Sequence, residues 1–143
     1  EFVVKGDKSR TIHLNLSVNT NFIECFSGDG VILSTPTGST AYNYSSGGSI
    51  VDRSLKLIQI TPLSPINTNA YRSFTSSIIL PSDAIVKISP EYRFEDSLVF
   101  VTDGIEHRYN QIVDLTFQTS TINIKLLRRG GYEFWSKVTE KFL

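Results

Sequence analysis

From Gly28 to Tyr42 the chain reads Gly-Asp-Gly-Val-Ile-Leu-Ser-Thr-Pro-Thr-Gly-Ser-Thr-Ala-Tyr: an acidic turn, a short apolar strand, and a loop dense in hydroxyls and glycine. The run Thr40 to Ser46 has no proline and stops at Gly47-Gly48, so the loop is expected to lead into a short helix starting near Ser39. Such a junction gathers unpaired backbone N–H groups, several hydroxyls and the positive end of a helix dipole at one place. That chemistry suits an adenosine, a ribose or a phosphate. The same residue types also satisfy an ordinary cap and turn, and composition alone leaves both readings open. No Gly-Lys-Ser/Thr follows the glycines, so the loop is not a Walker A loop, and it is not a Gly-x-Gly-x-x-Gly dinucleotide fingerprint.

The elements that must hold this loop read mostly as strands. Phe2 to Lys5 forms a short one, ended by the polar turn Gly6-Asp7-Lys8-Ser9. Thr11 to Asn19 alternates, with Ile12, Leu14, Leu16 and Val18 on one face and His13, Asn15 and Ser17 on the other, which is the period of a half-buried strand. His13, on the polar face, is expected to be solvated. Asn19-Thr20-Asn21 turns into a strand at Phe22 to Phe26, and Ser27-Gly28-Asp29-Gly30 turns again into Val31 to Ser34. Leu57 to Ile60 is a compact strand ending against Thr61-Pro62, and Pro62 to Tyr71 is loop. Further strands are expected at Ser73 to Leu80, Ala84 to Ser89, Ser97 to Val101, Ile112 to Gln118 and Thr121 to Leu127, with Asp103-Gly104 as a hairpin turn. The end differs in kind: Phe134, Trp135, Val138 and Phe142 fall at helical spacing over Tyr132 to Phe142, and Trp135 is expected to be a packing anchor. Nine or ten short β segments predict a mainly β fold, an antiparallel β-sandwich with a short helix after the Gly/Ser/Thr loop and a C-terminal helix.

A chain of 143 residues suits one domain with its own core. Fourteen Lys and Arg balance fourteen Asp and Glu, so no bulk field attracts nucleic acid or an anionic membrane, and a phosphate-bearing ligand must be held by local groups. The single cysteine, Cys25, supports no intrachain disulfide framework and favours a cytoplasmic setting. No run of about eighteen apolar residues and no charged-then-apolar leader is present, which argues against membrane spanning or secretion. The chain opens with Glu1 rather than Met and is expected to begin partway through a longer protein.

Asp29 to Tyr42, followed by Ser45 and Gly47-Gly48, closely resembles the central conserved block of the NAD kinases. These enzymes phosphorylate the adenosine-side ribose 2′-hydroxyl of NAD to give NADP. Family members have an α/β N-terminal domain carrying a Gly-Gly-Asp-Gly-Thr motif and a mostly β C-terminal domain carrying this block. The resemblance extends over nearly all of residues 1–143 and implies the second domain alone, the N-terminal domain missing.

Carried over residue by residue, the resemblance implies that Asp29 contacts the nicotinamide side of NAD, often across a subunit boundary. Thr40, Ala41, Tyr42, Asn43, Tyr44 and Ser45 match the stretch that contacts the adenosine portion and the nicotinamide end. Ser27 stands where some members place a further contact. Glu1 matches the acidic member of an Asn-acid pair at the domain junction, and Asp103-Gly104 matches a turn near the bound nucleotide, as well as reading as a plain hairpin. The residue chemistry agrees. An ionised Asp29 is an acceptor only, suited to an amide or ribose hydroxyl and repelling a phosphate. Tyr42 and Ser45, three apart on a helix, present two hydroxyls together.

Three departures stand out. Ser49 replaces the proline common after the paired glycines, Pro65 to Arg72 keeps only a partial likeness, and Gly-Gly-Asp-Gly-Thr is absent. The resemblance therefore implies an NAD kinase domain that binds NAD and positions its hydroxyl, with no catalytic residue and no metal site in this fragment. The complete enzyme would use ATP or polyphosphate as donor with Mg²⁺ or another divalent metal, and would be a homodimer or homotetramer without nucleic-acid or membrane partners. The alternatives are a non-catalytic nucleotide-binding or oligomerisation module and a lipid kinase of the diacylglycerol or sphingosine type, which shares the two-domain plan but lacks the long block.

Overall fold

The computed structural model describes all residues except 8–9, 92–97, 110–111, 129, 132 and 143. Lys8 and Ser9 of the first turn, Ser97 at the head of the apolar run and Tyr132 at the head of the terminal helix lie outside the described residues. The described residues form ten strands: β1 (Phe2–Gly6), β2 (Ile12–Val18), β3 (Asn21–Gly28), β4 (Gly30–Ser34), β5 (Leu57–Leu63), β6 (Ile78–Pro81), β7 (Val86–Pro90), β8 (Leu98–Thr102), β9 (Ile105–Arg108) and β10 (Leu115–Phe117). A 3₁₀ turn at Gly38–Thr40 precedes α1 (Tyr42–Ser45), and α2 (Phe134–Phe142) lies near the end.

The strands make two antiparallel sheets, in the orders β6-β5-β4-β1-β8-β9 and β10-β7-β2-β3. Their inner faces share one core: Val4, Val31, Leu33, Ile60 and Leu98 of the six-stranded sheet meet Ile12, Leu14, Leu16, Phe26, Val86, Ile88 and Phe117 of the other. The alternation predicted for β2 is realised, since Ile12, Leu14 and Leu16 are buried while the residues between them are half-buried. The sandwich expected from the sequence is the fold.

β3 belongs to one sheet and β4 to the other, so Asp29 sits at the one-residue bend that carries the chain from β3 to β4. The predicted four-residue turn is thus shorter than expected, and Asp29 alone is its exposed corner. Glycine follows because β1 passes close by: a Cβ on Gly30 would lie 2.3 Å from the Val4 carbonyl oxygen.

Several expectations are corrected. β5 runs through Pro62, which pairs with Val31 on β4. Its other edge lies beyond β6, whose pairing stops at Ile60, so no partner there requires the missing N–H. Of the predicted strands Ser73–Leu80 and Ile112–Gln118, only Ile78–Leu80, running on to Pro81, and Leu115–Phe117 find a partner. Thr121 to Leu127 pairs with nothing among the described residues; Ile122, Ile124 and Leu126 are all exposed. Alternation alone does not make a strand where no sheet edge is offered. The helix expected from Ser39 is split at Ala41 (φ −98°, ψ −137°) into the 3₁₀ turn and the four-residue α1. His13 is not simply solvated. Its Nδ1 lies 2.8 Å from Ser27 Oγ, and its ring sits 4.9 Å from that of Tyr71, because the loop after β5 folds over the polar face of β2.

α2 docks against the turn and loop at residues 40–53, with Phe134, Val138 and Phe142, four apart, lining a shared cleft with Thr40 and Arg53. Only Val138 is buried. Trp135, expected as the packing anchor, is half-exposed and instead donates its indole N–H to Asp52 Oδ2 at 2.7 Å. One buried valine contributes about 1.5–3 kcal/mol, so α2 depends on such edge contacts, which include the Tyr44 and Phe142 rings 4.5 Å apart.

Candidate functional site

The outer face of β5 is polar where a core strand would be apolar: Gln59 and Thr61 are buried, 0% and 1% exposed. They hold the hydroxyl-rich turn. Thr61 Oγ1 donates to Asn43 Oδ1 at 2.6 Å, and Gln59 Nε2 donates to the Ser49 carbonyl at 3.1 Å while its Oε1 accepts from Ser49 N–H at 2.7 Å. Asn43 Nδ2 in turn donates to the carbonyls of Ser39 and Ser49, at 3.1 and 3.3 Å. The turn is folded around this one amide. Gly48 is required beside it, because a Cβ there would fall 2.3 Å from Asn43 Oδ1. Ser39, also buried, accepts from Val51 N–H at 3.0 Å and donates to the Pro36 carbonyl at 2.7 Å.

With Ser39 and Asn43 turned inward, Ala41, Tyr42 and Ser45 are turned outward and exposed. The two hydroxyls expected together on one helix face are therefore presented to solvent. Tyr42 lines a cavity of about 600 Å³ that Asp29 also lines, with Lys5, Gly6, Asp7, Arg10, Thr11, Leu63 and Ser64. Asp29 is fixed there by its backbone: its N–H donates to the Leu63 carbonyl at 2.9 Å and its carbonyl accepts from Gly6 at 3.2 Å. The adjoining wall is an ion-pair chain. Lys5 Nζ donates to Glu106 Oε1 at 3.2 Å, Arg108 donates to Glu106 Oε2 at 3.0 Å, and Arg108 also pairs with Asp7. The Arg108 guanidinium first, and Lys5 second, hold the Glu106 carboxyl below its ordinary range, while Asp7 above all keeps the guanidinium charged.

The other candidates divide into two groups. Glu1 reaches the turn from below, its Oε2 accepting from the Asn43 backbone N–H at 2.9 Å. Asp103 joins it through a backbone N–H to the Glu1 carbonyl, at 3.5 Å. Asp103 and Gly104 have φ of 46° and 85°, the two left-handed residues of a type I′ hairpin between β8 and β9. This pair lies at one end of β1 and Asp29 at the other, about 16 Å apart at the rise of a strand. Three candidates face inward. Ser27 is fully buried against His13 and Ser73, Asn43 is the buried hub, and Tyr44 packs on Phe142. Thr40 is half-buried and lines a second cleft, beneath α2.

Lys5, Arg10 and Ser64 were not singled out from the sequence. Nothing in their local pattern marks them; β1 and the crossing at Asp29 bring them to the cavity. Ser64 has φ 44°, a left-handed conformation uncommon for a residue with a side chain. Among the described residues no three His, Cys, Asp or Glu side chains converge as metal ligands, and no described helix is long and apolar enough to cross a membrane.

The class these features define is a β-sandwich domain that presents a hydroxyl-rich turn and a carboxylate corner from the edge of one sheet. A sequence model of the ATP-NAD kinase C-terminal domain matches residues 1–130, and the chain belongs to that family. An NAD kinase of Finegoldia magna is 40% identical over all of this chain and 53% of its own length. NAD kinase 2 of Listeria monocytogenes is 37% identical, again over all of this chain and 54% of its own. The chain spans about half the length of the curated relatives it matches. Among solved structures, yeast NADH kinase complexed with NADH superimposes with a TM-score of 0.65 at 27% identity, over 81% of this chain and 33% of that one. An NAD kinase from Archaeoglobus fulgidus in complex with ATP gives 0.70 over 85% and 45%; at 23% identity that likeness speaks to the fold alone. These relatives give no support to the lipid-kinase alternative.

Proposed function

We propose that this chain holds NAD for an NAD kinase, and that the longer protein transfers a phosphoryl group from ATP to the adenosine-side ribose 2′-hydroxyl to give NADP. The observation that carries the reading is the shared cavity of Asp29 and Tyr42, flanked by a turn whose hydroxyls are held outward. Asp29 accepts from a ribose hydroxyl or carboxamide of the dinucleotide. Tyr42, Ser45, Thr40 and the exposed backbone at Ala41 supply neutral donors and acceptors, while Lys5 and Arg10 offset the diphosphate charge. Asn43, Ser27 and Tyr44 serve by holding the turn and the corner in place. Glu1, Asp103 and Gly104 complete the acceptor site at the far end of β1.

Phosphoryl transfer depends on positioning and charge stabilisation more than on covalent chemistry, and this chain contributes positioning of the acceptor. The described residues do not fit a divalent metal. Mg²⁺, which neutralises charge on the transferring phosphates, belongs in this reading with the nucleotide and with an N-terminal α/β domain outside these 143 residues. We further infer a cytoplasmic homodimer or homotetramer, the family expectation.

The test is NADP formation from NAD, ATP and Mg²⁺ by the intact protein. Turnover supports the reading; a folded protein that binds NAD without turnover would support the non-catalytic module instead. Replacing ATP by polyphosphate in the same assay identifies the donor.

A further inference from the structure

We propose that His13 and Ser73 are positioning residues for the dinucleotide: by clasping Ser27 they set the place of the 64–73 loop, which walls the Asp29 cavity. This rests on the reading above that NAD occupies that cavity.

β3 is the outermost strand of its sheet, and the loop after β5 takes up the free edge at Ser27. Ser27 N–H donates to Ser73 Oγ at 2.9 Å. The Ser27 carbonyl accepts from Ser73 Oγ at 3.1 Å and from Ile66 N–H at 2.8 Å. One hydroxyl thus satisfies both backbone groups of Ser27. Asn67 fixes Ser73 from within the loop, its Oδ1 accepting from Ser73 N–H at 3.0 Å and its Nδ2 donating to the Ser73 carbonyl at 3.1 Å.

His13 closes the clasp from the other side. It pairs with Ser27 across β2 and β3, and Nδ1 shares a hydrogen bond with Ser27 Oγ at 2.8 Å. A turn closed by Thr68 N–H to the Tyr71 carbonyl, at 2.9 Å, precedes the Tyr71 ring, which lies 4.9 Å from that of His13. His13 therefore touches both the strand and the loop.

Polar bonds, not apolar burial, place this loop: Ser73 is the only buried residue between 64 and 73. Its first residues bear directly on the site. Leu63 and Ser64 line the cavity, the Leu63 carbonyl accepts from Asp29 N–H at 2.9 Å, and Ser64 turns the chain at φ 44°. Ser27 stands two residues before Asp29, and the Ile66 it holds stands two after Ser64. A clasp that slips displaces the corner and the wall together, and binding groups act only when held in place.

The test is the steady-state kinetics of the intact protein. His13→Ala is expected to raise KM for NAD about fivefold, the equivalent of one neutral hydrogen bond, with kcat and KM for ATP unchanged. His13→Asn, whose amide can meet Ser27 Oγ where Nδ1 stands, should restore most of the loss. A merely structural role lowers the active fraction, and so kcat, without moving KM. An unchanged KM for NAD in folded His13→Ala would overturn the proposal, as would an Asn variant no better than the Ala one. Asn67→Ala, at an exposed residue inside the loop, serves as the second variant should His13→Ala not fold. It is expected to raise KM for NAD in the same way, and an unchanged value there overturns the proposal equally. If the wild-type protein makes no NADP, calorimetric titration with NAD decides. Weaker binding by the variants than by wild type supports the clasp; equal binding overturns the clasp alone; no binding by wild type overturns the cavity reading and the clasp with it.

Discussion

Thr61 Oγ1 and Asn43 Oδ1 meet at 2.6 Å across eighteen residues of chain, in a site where both side chains are buried. This bond joins the outer face of the six-stranded sheet to the turn that presents Tyr42 and Ser45. Thr61→Val keeps the shape and removes the donor, leaving the Asn43 oxygen without that partner and also ending the contact with Ser77 Oγ. Leaving a buried polar group unsatisfied costs about 1–3 kcal/mol, so a loss of that size in urea denaturation is expected. A variant of unchanged stability would show that the turn is held by other means.

Gly30 is where β4 passes β1 with no room for a side chain. Gly30→Ala places a methyl group against the Val4 carbonyl and the Lys5 backbone, and overpacking of this kind costs about 1–3 kcal/mol. Because Gly30 follows Asp29 directly, the strain also moves the corner. Thermal unfolding should show the lower stability, and NAD affinity should fall with it.

The docking of α2 is expected to depend on pH, and Trp135, the only tryptophan in the sequence, should report it. The Ser54 backbone N–H first, then its hydroxyl and the Trp135 indole, hold the Asp52 carboxyl below its ordinary value of 3.8. A depressed folded pKa stabilises above the ordinary value and loses its effect as pH falls through the folded one. Trp135 fluorescence should therefore stay constant from neutrality down to about pH 4, and change only below it. Asp52→Asn, which removes the titrating carboxyl, should abolish that step. A transition at higher pH, or one that survives in Asp52→Asn, would assign it to another group.

The 143 residues purified on their own are expected to form no NADP, since the sequence holds no Gly-Gly-Asp-Gly-Thr motif and no three carboxylate, histidine or cysteine side chains converge as metal ligands among the described residues. The measurement is NADP formation by material whose intact mass shows this chain alone. Detectable turnover would place the catalytic groups within it.

How far the sequence was legible varies with the range of the interaction. β2 was readable because Ile12, Leu14 and Leu16 alternate and bury as they alternate; the Asp103-Gly104 hairpin was readable because both residues tolerate positive φ. Thr121 to Leu127 alternates as well, yet it finds no partner edge among the described residues, and an edge is a property of the whole fold. The turn from Gly38 to Ser45 stood out by composition, but its internal division did not. Asn43 looked like Tyr42 and Ser45 in the chain; only Thr61, distant in sequence, turns it inward. Lys5 and Arg10 reach the Asp29 cavity by the crossing of the two sheets, which no local pattern records.

The most direct measurement of the central claim is the KM for NAD of the intact protein beside that of Asp29→Ala. Asp29 is an exposed corner side chain held by its backbone, so the substitution should leave the fold intact. Losing a hydrogen bond to a charged group costs about 1.5–3 kcal/mol, and KM for NAD should rise roughly tenfold or more while KM for ATP stays the same. An unchanged KM for NAD in a folded, active Asp29→Ala protein would remove Asp29 from the site and contradict the account.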